Sequence, residues 1–278
     1  MILVADSCSD IKSEDLKKRN IEVVRLSITI DDVEYTDQID ITSEEVLQKI
    51  TEGHRPLTSQ VNPDEFESLF RELLERDNEI LYIAFSSGLS GTYQSSVIAR
   101  DVVLEDFPDA KIEILDSLSA SYGLGYTVER ASDLVNAGES FDTVVSATKE
   151  MLTKIRHLFT VSDLDYLAKG GRLSKGSAFL GGLLNIRPLL NVEEGKLVPI
   201  EKHRGEKKVL KSMIDKVKDE GASEKAYIAH ANALDTAEKL KELLLAETNI
   251  DEVQIELIGP TIASHTGNGT VALFYYKQ

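Results

Sequence analysis

The apolar run Ile80-Leu-Tyr-Ile-Ala-Phe85 stops abruptly in Ser86-Ser-Gly-Leu-Ser-Gly-Thr92. A short continuous apolar run bounded by turn residues predicts a strand covered on both faces. The amphipathic stretch from Tyr93 to about Phe107 predicts a helix directly after it. Strand, tight turn and helix in this order restrict the chain to an α/β layer arrangement. They also put the turn at the carboxyl end of a strand and the amino end of a helix, where such sheets bind ligands. Ser86, Ser87, Ser90 and Thr92 supply hydroxyls, and Gly88 and Gly91 let the backbone come close.

The surrounding sequence repeats this alternation. Strands are expected at Ile2–Ala5, Ile21–Leu26 and Lys111–Leu115, and helices at Ser13–Asn20, Thr42–Gly53, Asp64–Arg76 and Gly123–Asn136. Asn62 or Asp64 caps the third of these helices, with Pro63 in its first turn. Asp31-Asp32 between β-forming residues predicts a hairpin within Ser27–Tyr35. After about residue 155 the pattern changes. Strands are expected at Leu158–Val161, Ile186–Val192, Leu197–Lys202, Lys225–His230, Glu252–Leu257 and Thr270–Tyr275. Pro199 restricts its strand to a sheet edge. Two long helices, Gly205–Glu220 and Asp235–Glu247, lie among them. The expectation is an α/β chain in two parts. Residues 1–155 form a parallel-sheet domain with helices on both faces; residues 156–278 form an α+β domain with a mixed or antiparallel sheet.

Composition narrows the classes of partner. A net charge of −17 over 278 residues argues against a basic nucleic-acid footprint and against docking on anionic membrane. Cys8 is the single cysteine, so no intramolecular disulfide forms, and a reducing compartment is the simplest reading. Met1–Asp6 has no basic leader segment, and the longest apolar stretch, Phe179–Leu190, is broken by glycines, Asn185, Arg187 and Pro188. The expectation is a cytoplasmic protein without stable membrane insertion.

Several constellations carry chemistry. Gly88-Leu-Ser90-Gly-Thr92 approaches the nucleophile elbow G-x-S-x-G, and His265 follows far downstream, in the chain order of a hydrolase. Against this, Thr92 stands where the elbow has its second glycine. Ligand binding without chemistry and plain helix capping are the other readings. Leu57-Thr-Ser-Gln60 is a second polar turn before a helix. Ser264-His-Thr-Gly-Asn-Gly-Thr270 has the character of a ligand loop between two strands. In Tyr166-Leu-Ala-Lys-Gly-Gly-Arg172, Gly170 is expected as the left-handed cap of a helix, while Arg172 is an exposed cation or a structural ion pair. Lys202–Lys208 is a basic cluster in an acidic chain. The five histidines lack paired ligand spacing, so no metal is expected, and no G-x-G-x-x-G or P-loop indicates a nucleotide cofactor.

Together and in this order the motifs resemble the DegV family. The likeness is carried by Asp6-Ser-Cys-Ser-Asp10, Thr58-Ser-Gln60, Ser86-Ser-Gly-Leu-Ser-Gly-Thr-Tyr93, Asp116-Ser117, Lys169-Gly-Gly-Arg172 and His265-Thr-Gly-Asn-Gly-Thr270. Val61-Asn62 and Asn268 depart from the family pattern without removing a hydroxyl or the histidine. The resemblance implies a non-enzymatic fatty-acid-binding protein of the FakB type. It would present a long-chain acid, about C14–C18, to a separate fatty acid kinase, without a cofactor. It further implies that Thr58 and Ser90 hydrogen-bond the carboxylate, with Ser59 and Gly91 nearby and His265 approaching the head. Arg204 is similar to an arginine implicated in handover to the kinase. The alternative is an esterase or acyl transferase using Ser90 and His265. The acyl tail would run under Phe179–Leu184, where glycines leave room for it; ordinary close helix packing is the other reading of that segment.

Overall fold

The computed structural model describes residues 1–174 and 186–278. The first part of the chain runs β1 (Ile2–Asp6), α1 (Ser13–Lys18), β2 (Ile21–Val24), β3 (Ser27–Ile30), β4 (Val33–Thr36), α2 (Ser43–Thr51), β5 (Leu57–Ser59), α3 (Pro63–Leu74), β6 (Glu79–Ala84), α4 (Thr92–Asp106), β7 (Lys111–Asp116), α5 (Tyr122–Asn136) and α6 (Phe141–Lys154). Strands β2, β1, β6 and β7 form a parallel sheet in that order. Every residue of β1, and every residue of β6 after Glu79, is buried. Successive side chains of a strand point to opposite faces, so helices cover both sides of this sheet. Reciprocal capping boxes start α2 (Thr42 with Glu45) and α3 (Asn62 with Glu65). The β3–β4 hairpin turns through Asp31 and Asp32, both at positive φ, 50° and 64°. It joins β5 in a small antiparallel sheet, which places Thr58 opposite Ile28. Helix α6 is an addition to the sequence expectation; Ser140 caps it, and Phe141, Val144, Val145 and Thr148 make its buried stripe.

The remainder runs β8 (Ile155–Thr160), α7 (Leu164–Lys169), β9 (Ile186–Glu193), β10 (Lys196–Arg204), α8 (Glu206–Asp219), β11 (Ser223–His230), α9 (Leu234–Glu247), β12 (Asn249–Leu257), α10 (Pro260–Thr266) and β13 (Val271–Tyr276). These strands form one mixed sheet in the order β10-β9-β8-β13-β11-β12, parallel only between β11 and β12. Pro199 lies on the edge strand, where a bulge separates it from Glu201. Leu158, Ile228 and Leu273 on one face pack with α8 and α9, whereas Phe159, Ala229 and Phe274 on the other join the core of the parallel sheet. Two expectations are corrected. Residues 260–266 are helical, so His265 sits in the last turn of α10 and not in a loop. Gly170 is right-handed at φ −67°, and Gly171, at φ +74°, is the left-handed residue that ends α7. The Phe179–Leu184 segment expected over the acyl tail lies outside the described residues. Among the described residues no helix is long and apolar enough to cross a membrane.

Three buried carboxylates tie the end of β1 and the loop after β4 to the rest. Asp6 accepts hydrogen bonds from Tyr82 Oη at 2.8 Å, Phe85 N at 2.6 Å and Cys8 N at 3.1 Å. Asp10 accepts from Ser121 Oγ, and Asp37 from Thr261 Oγ1 at 2.6 Å. Burial pushes Asp10 up to about 8 and Asp6 and Asp37 each up to about 6, against the donated hydrogen bonds that lower them. A carboxyl that holds its proton longer when folded stabilises the fold fully below its unfolded pKa. That stabilisation is lost as pH rises through the folded pKa. Between about pH 6.5 and 8.5 Asp10 dominates this loss, so the melting temperature falls across that window. Asp10→Asn flattens the fall. A wild-type melting temperature that is constant there, in calorimetric scans, contradicts the assignment.

Candidate functional site

A cavity of about 180 Å³ lies where the carboxyl end of the parallel sheet meets the inner face of the mixed sheet. The turn after β6 forms one wall through Phe85, Leu89, Ser90 and Gly91. Val192, Leu197 and Phe274 come from the mixed sheet, and Thr261, Ile262 and His265 from α10. The wall is mainly apolar, with Thr58, Ser90 and His265 among its polar groups.

Strand β6 stops at Ala84 because the next backbone donors turn away from the ladder. Phe85 N goes to Asp6 and Ser86 N to Ser119 O at 3.1 Å. Ser90 then folds back on the start of α4. Its Oγ accepts Thr92 N at 3.2 Å and lies 3.0 Å from Thr92 Oγ1. Capping and ligand-facing roles are therefore compatible for this hydroxyl, since it caps α4 and lines the cavity at once. Gly91 packs against the Gln60 amide with no space for a Cβ, which brings the Thr58-Ser-Gln60 turn beside the serine turn. Ser86 Oγ donates to Gly195 O at 2.7 Å, fixing the tip of the β9–β10 hairpin over the turn. A Cβ at Gly88 would sit 2.6 Å from Gly195 O, and one at Gly195 would sit 2.3 Å from Ser86 Oγ, so neither position admits a side chain.

His265 Nε2 lies 2.8 Å from Thr58 Oγ1. Burial, followed by the cations Arg172 and Arg55, lowers its pKa to about 4, so the ring is neutral near pH 7. Arg172 donates from Nε to Leu89 O at 3.2 Å and from Nη1 to Gly170 O at 2.8 Å, which binds the Gly170-Gly171 turn to the serine turn. Arg55 lies over the Tyr166 ring at 5.2 Å, and Tyr166 Oη donates to Ser264 O at 3.0 Å beside His265.

Thr58, Ser90, Gly91 and His265 thus line one cavity although they are far apart in sequence. Ser59 alternates outward on β5 and is exposed. Arg204 is the exposed last residue of β10 and does not line the cavity. His203 and Lys216, near it, engage Glu201 at 2.7 and 2.8 Å. Ser90 is engaged with Thr92 and His265 with Thr58, so the serine–histidine pair of the esterase reading is not formed in this geometry. Sequence reasoning missed His157, which is buried with its Nε2 2.6 Å from Ser119 Oγ and is pushed down to about 3 by desolvation. A lone histidine in a strand carries no spacing signal that would have found it. It also missed Ser121 and Thr261, whose partners are more than 100 residues away in sequence.

The family model described as "Uncharacterised protein, DegV family" matches residues 1–278. A DegV domain-containing protein of Streptococcus pyogenes serotype M1 is 42% identical over 279 residues, 99% of this chain and 98% of that one. Among solved structures, a DegV family protein of Thermus thermophilus described for fatty acid binding superposes with a TM-score of 0.91 at 33% identity, over 100% of this chain and 99% of that one. The fatty acid kinase (Fak) B3 protein of Streptococcus pneumoniae, solved loaded with linoleic acid, superposes with a TM-score of 0.87 at 27% identity, over the whole of both chains.

The desolvated site predicts the behaviour of its imidazole. In NMR titration of the ligand-free protein, His265 is expected to stay neutral down to about pH 4. A midpoint near 6.5 would mean that the ring is solvated and that the cavity end is open.

Proposed function

Because this chain belongs to the DegV family, we propose that it is a carrier that binds one long-chain fatty acid, about C14–C18, with the carboxylate at the Thr58–His265 and Ser90–Thr92 end of the cavity. One observation carries the reading: a mainly apolar cavity that Thr58, Ser90 and His265 line together, in a chain that aligns over its full length with a protein holding linoleic acid. A desolvated carboxylate needs several donors. The Thr58 and Ser90 hydroxyls, each bonded to a neighbouring side chain, turn to the acid when it binds. Neutral His265 offers one N–H, and the amide groups at the start of α4, near Gly91, add positive potential.

Magnitudes divide the labour. A C16 chain buries about 14 methylenes at about 0.8 kcal/mol each, about 11 kcal/mol gross. Each charge-assisted hydrogen bond contributes about 1.5–3 kcal/mol, against about 4–15 kcal/mol for association. The tail therefore sets affinity, and the head sets orientation. On this reading residues 1–155 supply the head-group turns, residues 156–278 supply the other wall with His265, and Ser59 acts from the outer side of β5. The protein is a carrier and not a catalyst. It works in the cytoplasm, where it presents the acid to a fatty acid kinase, and Arg204, exposed at the end of β10, belongs to the handover surface.

Protein purified from cells is expected to release C14–C18 acids on denaturing extraction. A lipid-free protein that resists loading with these acids overturns the reading. Ser90→Ala and His265→Ala are each expected to weaken binding of the acid by about 10-fold or more while changing binding of the matching alcohol much less. Equal losses for acid and alcohol in isothermal titration refute the head-group assignment.

A further inference from the structure

Among the described residues, six that bear hydroxyls line the cavity: Thr58, Ser90, Ser121, Thr261, Thr266 and Thr270. Their hydrogen bonds divide them. Thr58 bonds to His265, which also lines the cavity, and Ser90 to its near neighbour Thr92. The other four donate to backbone carbonyls or to buried acids. Thr266 Oγ1 donates to Ile262 O at 3.1 Å, and Thr270 Oγ1 to Gly267 O at 2.9 Å. Those two use carbonyls of the α10 region, four and three residues earlier in the chain.

Ser121 and Thr261 have no such carbonyl. Ser121 is the N-cap of α5, and Thr261 is the second residue of α10, so no helical turn precedes either one. Their acceptors come from distant chain, Asp10 Oδ2 for Ser121 and Asp37 Oδ2 for Thr261. Both acids are buried, and neither is among the residues lining the cavity. Thr261 is one helical turn, about 6 Å, from His265 on α10, and both line the cavity.

We infer that Asp10 and Asp37 are positioning residues for chain selectivity, which hold the hydroxyls of Ser121 and Thr261 out of the cavity and leave that part of its wall apolar to an acyl chain. This rests on the carrier reading. A hydroxyl turned into the cavity would face methylenes without a partner, and that is costly. With the hydroxyls drawn back, this part of the wall presents the Thr261 methyl and the Ser121 methylene, and a mid-chain hydroxyl beside it finds neither oxygen turned towards it. The acids thus select against oxygenated chains without touching the ligand.

The test compares stearic acid with 10-hydroxystearic acid by displacement of a fluorescent fatty acid from wild type, Asp37→Leu, Thr261→Val, Ser121→Ala and the double variant Asp37→Leu/Thr261→Val. Leucine fills the space of Asp37 and removes the acceptor. Wild type is expected to prefer stearic acid by about 10-fold or more, and Asp37→Leu to narrow that ratio by about fivefold or more. Adding Thr261→Val restores it, which general loosening of the fold would not do. Thr261→Val and Ser121→Ala alone are expected to bind stearic acid within about twofold of wild type. These two decide the matter if Asp37→Leu does not fold, because a loss of about tenfold in either places that hydroxyl on the ligand and overturns the inference. One unchanged ratio across all five proteins overturns the positioning role and leaves the carrier reading standing. Failure of wild type to bind either acid overturns the carrier reading itself.

Discussion

Three desolvated carboxylates organise the molecule around the cavity. A buried carboxylate is tolerable only where donors converge on it, and those that converge on Asp6, Asp10 and Asp37 come from the elements that carry the site. Asp6 collects the Tyr82 hydroxyl and the Phe85 amide, which sets where β6 ends and the Ser86–Thr92 turn begins. Asp10 collects Ser121 at the start of α5. Asp37 collects Thr261 at the start of α10, four residues before His265. The serine turn and the histidine helix are thereby placed relative to one short stretch of chain at the end of β1 and one loop after β4. The cost of burying these acids sets the geometry of the site, and it also draws the Ser121 and Thr261 hydroxyls towards them.

Helix starts decide where two serines at the cavity find their partners. Ser90 stands at the start of α4 and Ser121 at the start of α5, both at carboxyl ends of parallel strands. Ser90 finds its partner in Thr92, two residues on. Ser121 finds Asp10, a buried acid that is not among the lining residues. The same residue type in the same kind of place takes a near hydroxyl or a distant acid according to what lies at its back. Two cations, Arg55 and Arg172, near the His265 ring add a positive local field within a chain of net charge −17.

Much of the frame was legible in the chain because its signals are local. The strand–turn–helix at residues 80–107, the capping residue Asn62 and the edge position enforced by Pro199 each depend on neighbours within a few residues. The gathering of Thr58, Ser90, Gly91 and His265 came from resemblance and not from spacing, since none of these residues signals its partner across the sequence. Where the reading slipped, a local rule was ambiguous. Gly170-Gly171 offers two glycines for one left-handed position, and the second takes it. Pro260 starts a helix too short to show a hydrophobic period, so its seven residues passed for loop. The acid–hydroxyl pairs were hidden because a long-range hydrogen bond leaves no pattern in a single sequence.

The seam between Ser86, Gly88 and Gly195 has a consequence for how this chain can change. At the seam Gly88 packs against the Gly195 backbone, and Gly195 packs against the Ser86 hydroxyl and Leu118. Each residue there defines the space of the other two, so their substitutions are coupled, and the cost of changing two together is not the sum of changing each. A larger residue at 88 is ruled out while the 195 carbonyl stays where it is, and a side chain at 195 displaces the hydroxyl of 86. Sequence drift at this seam is therefore expected to proceed by concerted steps.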